Sequence, residues 1–182
     1  IPLSATAGTD LDNLNRWRVQ LGLPSIDAKG MSETKETVSI GGVEASMFDL
    51  LGKDPNSDRP TRILAAISRT AESTWFFKMI GPDELVAGEK SSFLQFLESF
   101  SFPGTFAPSS DASVADQDPS VQPQGIGGAS SLPSWIIPGS WQEQPPTSML
   151  LAKFAVEDSD LGKVGITVSA FPGDVGGLLA NV

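Results

Sequence analysis

The chain has no cysteine, no histidine and no tyrosine among its 182 residues. These absences remove thiol and imidazole nucleophiles, Cys/His zinc sites and disulfides together, leaving little side-chain chemistry for catalysis. They leave the redox compartment undecided, since a cytosolic protein and an exported protein without bridges can both lack cysteine. Positive charge is also scarce: 12 Lys and Arg stand against 22 Asp and Glu, a formal net charge of -10. Nucleic acid and anionic membrane surfaces would have to overcome that repulsion, so neither is an expected partner. The scarcity deepens along the chain, where residues 91–182 hold only Lys153 and Lys163 as bases. No apolar run approaches the roughly 20 residues of a membrane span. Ile1-Pro2-Leu3-Ser4 reads as neither an initiator nor a signal peptide, so the gene product is expected to begin upstream.

What is there centres on the stretch from Thr74 to Phe102. Trp75, Phe76, Phe77, Met79 and Ile80 form a nearly continuous apolar run, which suits a strand covered on both faces. Gly81-Pro82 ends it, and Asp83-Glu84 start a helix whose dipole such acids complement. Phe93, Phe96, Leu97 and Phe100 then fall on one helical stripe. Lys78, inside the aromatic strand, could serve as a buried electrophile or Schiff-base amine. The expected arrangement is a place at the sheet edge, or a stem that snorkels outward.

Before this unit, Pro2 to Ala7 reads as a short strand and Thr9 or Asp10 as the N-cap of a helix reaching Leu21. Leu11, Leu14, Trp17 and Leu21 share one face, and Gly22 with Pro24 supplies the stop. A single core is expected to join Trp17 to Trp75, Phe77, Phe93, Phe96, Leu97 and Phe100. Ser25 to Lys35 suggests a loop with a turn of helix. Glu36–Ile40 and Val43–Leu51 form a hairpin through Gly41-Gly42. Gly52 to Pro60 is dense in turn formers, and its Asp54 and Asp58 read as turn residues because a calcium loop needs regularly spaced oxygens and a closing acid. Arg62 to Ser68 is a further strand, joined to Thr74 by a short polar connection.

Residues 103–132 change character: they are rich in Pro, Ser, Gly and Ala and carry no Lys or Arg. They read as a linker between two units, 1–102 and 133–182, with a coil span of roughly 30 Å, and are expected to lie against the protein or a neighbour. Beyond them Trp135 and Trp141 bracket a Pro-Gly turn, Met149–Val156 and Val164–Phe171 read as strands, and Gly173 onward looks like the start of a helix. Leu3–Gly8 matches Val168–Gly173, and Asn13-Leu14 matches Asn181-Val182 with three extra residues between, as though one strand-to-helix junction occurred twice. Residues 1–102 then form the back of one unit and 133–182 the front of another. Two such halves carry complementary sheet edges that are costly to leave bare. Met149–Val156 and Val164–Phe171 are therefore expected to join the sheet of Val38–Leu50 and Arg62–Ile80 in permuted order, with exchange of those strands between two chains of a homodimer as the variant. Residues 173–182 would become a displaced surface tail.

The opening SWIIPGSW, the strand TWFFKMIGP and the helix ending KSSFLQFLESFSF resemble the PsbP-like family of α/β/α sandwiches, and uncharacterised exported bacterial proteins with the same pattern. The resemblance implies an α+β fold, an antiparallel sheet between helices, usually outside the cytoplasm and often an accessory subunit of a membrane redox complex. It carries no catalytic residues over to this chain. The order of parts departs from the family, with a late half preceding an early half.

Three functions follow. The first is a non-catalytic extracytoplasmic binding or accessory subunit, which takes a protein partner or larger assembly and meets a membrane only indirectly. The second is a carrier of a small apolar ligand in a pocket lined by Trp17 or Trp75. The third is a carboxylate hydrolase using Asp49 and Glu72, although no spacing singles out that pair. No catalytic residue, metal or organic cofactor is expected. The residues to examine for partner contact are Arg16 and Arg18, which flank Trp17 on the first helix, together with Trp135 and Trp141.

Overall fold

The computed structural model describes residues 8–103 and 132–172. Helix α1 (Asp10–Gln20) starts in a capping box: Thr9 Oγ1 accepts from the Asp12 amide at 3.1 Å while the Asp12 carboxylate accepts from the Thr9 amide at 3.1 Å. A short helix α2 (Ala28–Thr34) follows, capped by Asp27. Strands β1 (Lys35–Ile40) and β2 (Val43–Lys53) form the expected hairpin, with φ of 55° at Gly41 and 82° at Gly42, the conformation that glycine adopts at least cost. Gly41 is needed for a second reason. A side chain there would collide with the Phe100 carbonyl, while its N–H donates to Leu97 at 3.2 Å.

Strands β3 (Pro60–Arg69) and β4 (Ser73–Pro82) make the second hairpin, and helix α3 (Asp83–Ser99) follows β4 directly. After residue 132 come β5 (Gln142–Gln144), β6 (Ala152–Asp158) and β7 (Gly162–Pro172). All seven strands join one antiparallel sheet in the order β1-β2-β3-β4-β7-β6-β5. The two stretches of chain meet where β4 pairs with β7, from Ser73↔Pro172 to Ile80↔Gly165, so the expected pairing is present within one chain. Strand β6 begins at Ala152 rather than Met149, because a turn holds Leu150 to Thr147. Strand β5 has only three residues, Gln142-Glu143-Gln144, and no apolar pattern by which it could be seen in the sequence.

Alternation along the strands sends side chains to two cores, one on each face. On the first, Met47, Leu64, Phe77, Phe154, Ile166 and Val168 meet Val86, Phe93, Phe96 and Leu97 of α3. On the second, Phe48, Leu50, Ile63, Ile67 and Phe76 meet Leu14, Trp17 and Leu21 from α1 and the residue after it. The result is an α+β sandwich with helices on both faces of the sheet.

One expectation is corrected and another is decided between its alternatives. Trp17 does not share the core of Trp75 and Phe96, because α1 docks on the opposite face; a helical stripe shows which residues are buried, not which side of a sheet receives them. Of the two places expected for Lys78, the sheet edge is excluded because β4 is the middle strand of the seven, and the outward stem is observed, carrying the amine to Gln20 Oε1 at 3.3 Å. The two ends of the linker meet. Ser101 and Ser134, near its two ends, are hydrogen bonded to each other at 2.7 and 3.2 Å. The linker interior, the strand expected over Pro2–Ala7 and the tail expected from Gly173 lie outside the described residues.

Candidate binding face

The four residues chosen for partner contact do not form one surface. Trp141 is 5% exposed, packs against Phe96 with ring centroids 5.0 Å apart, and donates from Nε1 to Glu89 Oε2 at 3.0 Å. Trp135 is half-buried and stacks on Phe100 at 5.7 Å with the rings 4° from parallel. Both therefore roof the α3 core. Arg16 and Arg18 lie on the other side of the sheet. Arg18 Nε donates to the Pro24 carbonyl at 2.8 Å, which fastens the chain after α1. Exposed Arg16 donates to Asn13 Oδ1 at 3.3 Å and lies one helical turn before Gln20, on the same flank.

The carboxylates considered for hydrolysis do not converge. Asp49 accepts from Arg62 Nη1 at 2.6 Å and from Lys90 Nζ at 2.9 Å, while Arg62 Nε also donates to Asp83 Oδ1 at 2.7 Å. Burial works against the Arg62 charge, but its hydrogen bonds to Asp83 and Asp49 outweigh this and hold its pKa above the ordinary arginine value. The network ties β2, β3 and α3 together. Glu72 is exposed in the turn between β3 and β4, beyond the Arg69 end of β3, whereas Asp49 pairs with Leu64 in the body of the sheet. Asp54 accepts from the amides of Asn56 and Ser57 at 2.7 and 3.1 Å, as a turn residue does. Among the described residues no group of three or more acidic side chains is placed to hold a metal ion.

A different surface stands out once the register is known. Strands β2 to β4 lie under α1 on the second face, but no helix among the described residues lies over that face of β7, β6 and β5. Residues paired across an antiparallel ladder share a face, and Lys78 pairs with Thr167, Thr167 with Lys153, and Lys153 with Gln144. One transverse row therefore reads Lys78, Thr167, Lys153, Gln144. Ser169 lies two residues from Thr167 on the same face, and Leu151, 46% exposed, adjoins the end of β6. Gln20 on the flank of α1 forms one wall.

Comparison with protein-family models, with curated proteins and with solved structures finds no match to this chain. The face is thus described by its own chemistry. The Lys78 amine has Gln20 as its partner, the Lys153 side chain has no ion pair or hydrogen bond among the described residues, and both residues are half-buried. Burial holds the Lys78 amine below the ordinary lysine pKa. By contrast Lys163, farther along the same face, is paired with Glu157 at 2.8 Å. Sequence reasoning met Lys78 and Lys153 as separate residues. The available signals were a lysine inside an aromatic strand and a base in a stretch nearly without them, but only strand register places the two beside each other.

Proposed function

We propose that this chain is a non-catalytic binding or accessory protein that works outside the cytoplasm, built on a PsbP-like sandwich whose parts occur in permuted order, and that it attaches to a protein partner in a larger assembly. The supporting observation is the half of the second sheet face over β7, β6 and β5, which no helix among the described residues covers and which exists only because the two stretches of chain join at β4 and β7. A surface of this kind suits docking against another protein, with a polar floor and apolar Leu151 beside it. Helices on both faces of one antiparallel sheet support the sandwich part of that reading. A carrier pocket lined by Trp17 or Trp75 is less favoured, since each ring fills a packed core, at 6% and 4% exposure.

The reading is tested by cross-linking in the source cells, followed by purification of the wild type and of Thr167→Glu, which adds bulk and negative charge at the centre of the face. A partner joined to peptides of β6 or β7 in the wild type and lost in the variant is the expected result. A partner joined elsewhere, or equally to both proteins, overturns the assignment of the face. Recovery of the native protein in the cytosolic fraction overturns the compartment.

A further inference from the structure

We propose that the row Lys78, Thr167, Lys153 is a carboxylate-binding site, and that the partner of the open face presents an acidic, extended segment to it; this rests on the reading of that face as the docking surface. The two lysines stand on either side of Thr167, with Cα atoms about 10 Å apart, two strand spacings. A lysine stem is long enough for each amine to bend toward the hydroxyl between them. Such a row offers two ammonium groups and one hydroxyl donor from a rigid sheet, an arrangement that fits carboxylates by charge and by hydrogen bonding.

The rest of the molecule makes the row unusual. Most bases in the described residues either meet an acid or stand exposed: Lys53, Arg62, Arg69, Lys90 and Lys163 are in ion pairs, and Lys29, Lys35 and Arg59 are open to water. Lys78, Lys153 and Arg18 are half-buried and meet no carboxylate among the described residues, and of these Arg18 is held by the Pro24 carbonyl. A chain with net charge -10 would repel an acidic segment elsewhere, so a local cationic row both attracts such a segment and fixes where it lands. Glu157, on the same face of β6, is already engaged with Lys163.

The test is calorimetric titration of the whole protein at low ionic strength with a capped hexaglutamate peptide, alongside inorganic phosphate. The wild type should bind the peptide with an affinity that falls as salt is added. Lys153→Gln and Lys78→Gln should each weaken binding about tenfold, the scale of one charge-assisted hydrogen bond. Lys163→Gln removes the same charge from a paired position and should leave affinity unchanged; circular dichroism of each variant confirms that it is folded. No binding by the wild type overturns the proposal, as does equal loss in Lys163→Gln, or phosphate binding as tight as the peptide. A partner cross-linked to β6 or β7 whose capture survives both lysine substitutions would overturn the carboxylate site while leaving the docking face in place.

Discussion

Phe96 shows how much depends on a single side chain. Its ring is fully buried and lies against Phe77, Trp135, Trp141 and Phe154, so it joins α3, β4, β6 and the Trp-bearing segment before β5. Phe96→Ala should cost about 3–5 kcal/mol, read from chemical denaturation. Ser68 is the opposite case. Its hydroxyl is buried with no hydrogen-bond partner among the described residues, so Ser68→Ala should raise stability by about 1 kcal/mol in the same assay. Lys78 gives a prediction with a pH signature. Because burial lowers its pKa, the folded state binds that proton more weakly than the unfolded chain does. The charged amine therefore costs stability at neutral pH, and the cost fades as pH rises from the folded pKa to the unfolded lysine value of about 10.4. Lys78→Met should melt higher than the wild type at neutral pH, with the gap narrowing toward that value. The chain has no Tyr, Cys or His side chain to titrate alongside it, which makes the comparison clean.

At the scale of elements, the Ser101–Ser134 bridge decides how the linker should behave. Its hydrogen bonds hold the two ends together, so the intervening chain closes a loop whose entropy cost grows with its length. Replacing residues 104–131 with a short Gly/Asn turn cuts the loop to about a quarter, and each halving is worth about 0.6 kcal/mol, so the shortened protein should be roughly 1 kcal/mol more stable. A loss of stability on thermal melting would mean that the excised residues contribute contacts of their own. The β1–β2 hairpin makes the complementary point. Gly41→Ala should be destabilising beyond the ordinary glycine-to-alanine range, because a positive φ and the Phe100 carbonyl both stand against a side chain there.

For the whole molecule, the junction of β7 with α1 is where the chain order departs from the spatial order. Pro172 ends β7 beside Ser73, and the neighbouring Arg69 reaches Gly8 O at 3.2 Å and Asp10 at 2.6 Å, just before and at the start of α1. The end of β7 and the start of α1 therefore lie at the same corner of the sheet. A permuted protein that fuses Val182 to Ile1 and opens the chain within residues 104–131 should fold to the same sheet, and light scattering should report a monomer at all concentrations tested. A concentration-dependent dimer, in either order, would instead support exchange of β5–β7 between chains.

The sequence by itself determined the local elements and their repeating logic. Aromatic runs bounded by Gly-Pro set β4, the spacing of Phe93, Phe96, Leu97 and Phe100 set α3, and paired glycines set the β1–β2 turn, because each depends on periodicity and backbone freedom within a few residues. Complementary bare edges even indicated that the late strands would join the early ones. Strand β5, with no apolar pattern, was beyond such reasoning. Only the tertiary structure decided which face α1 covers, why Trp17 and Trp75 belong to separate cores, and why Trp135 and Trp141 roof a helix. It alone set Lys78 and Lys153 on either side of Thr167, since strand register and face are fixed by pairing between residues far apart in the chain, and a shift of one residue would have turned each side chain to the opposite face.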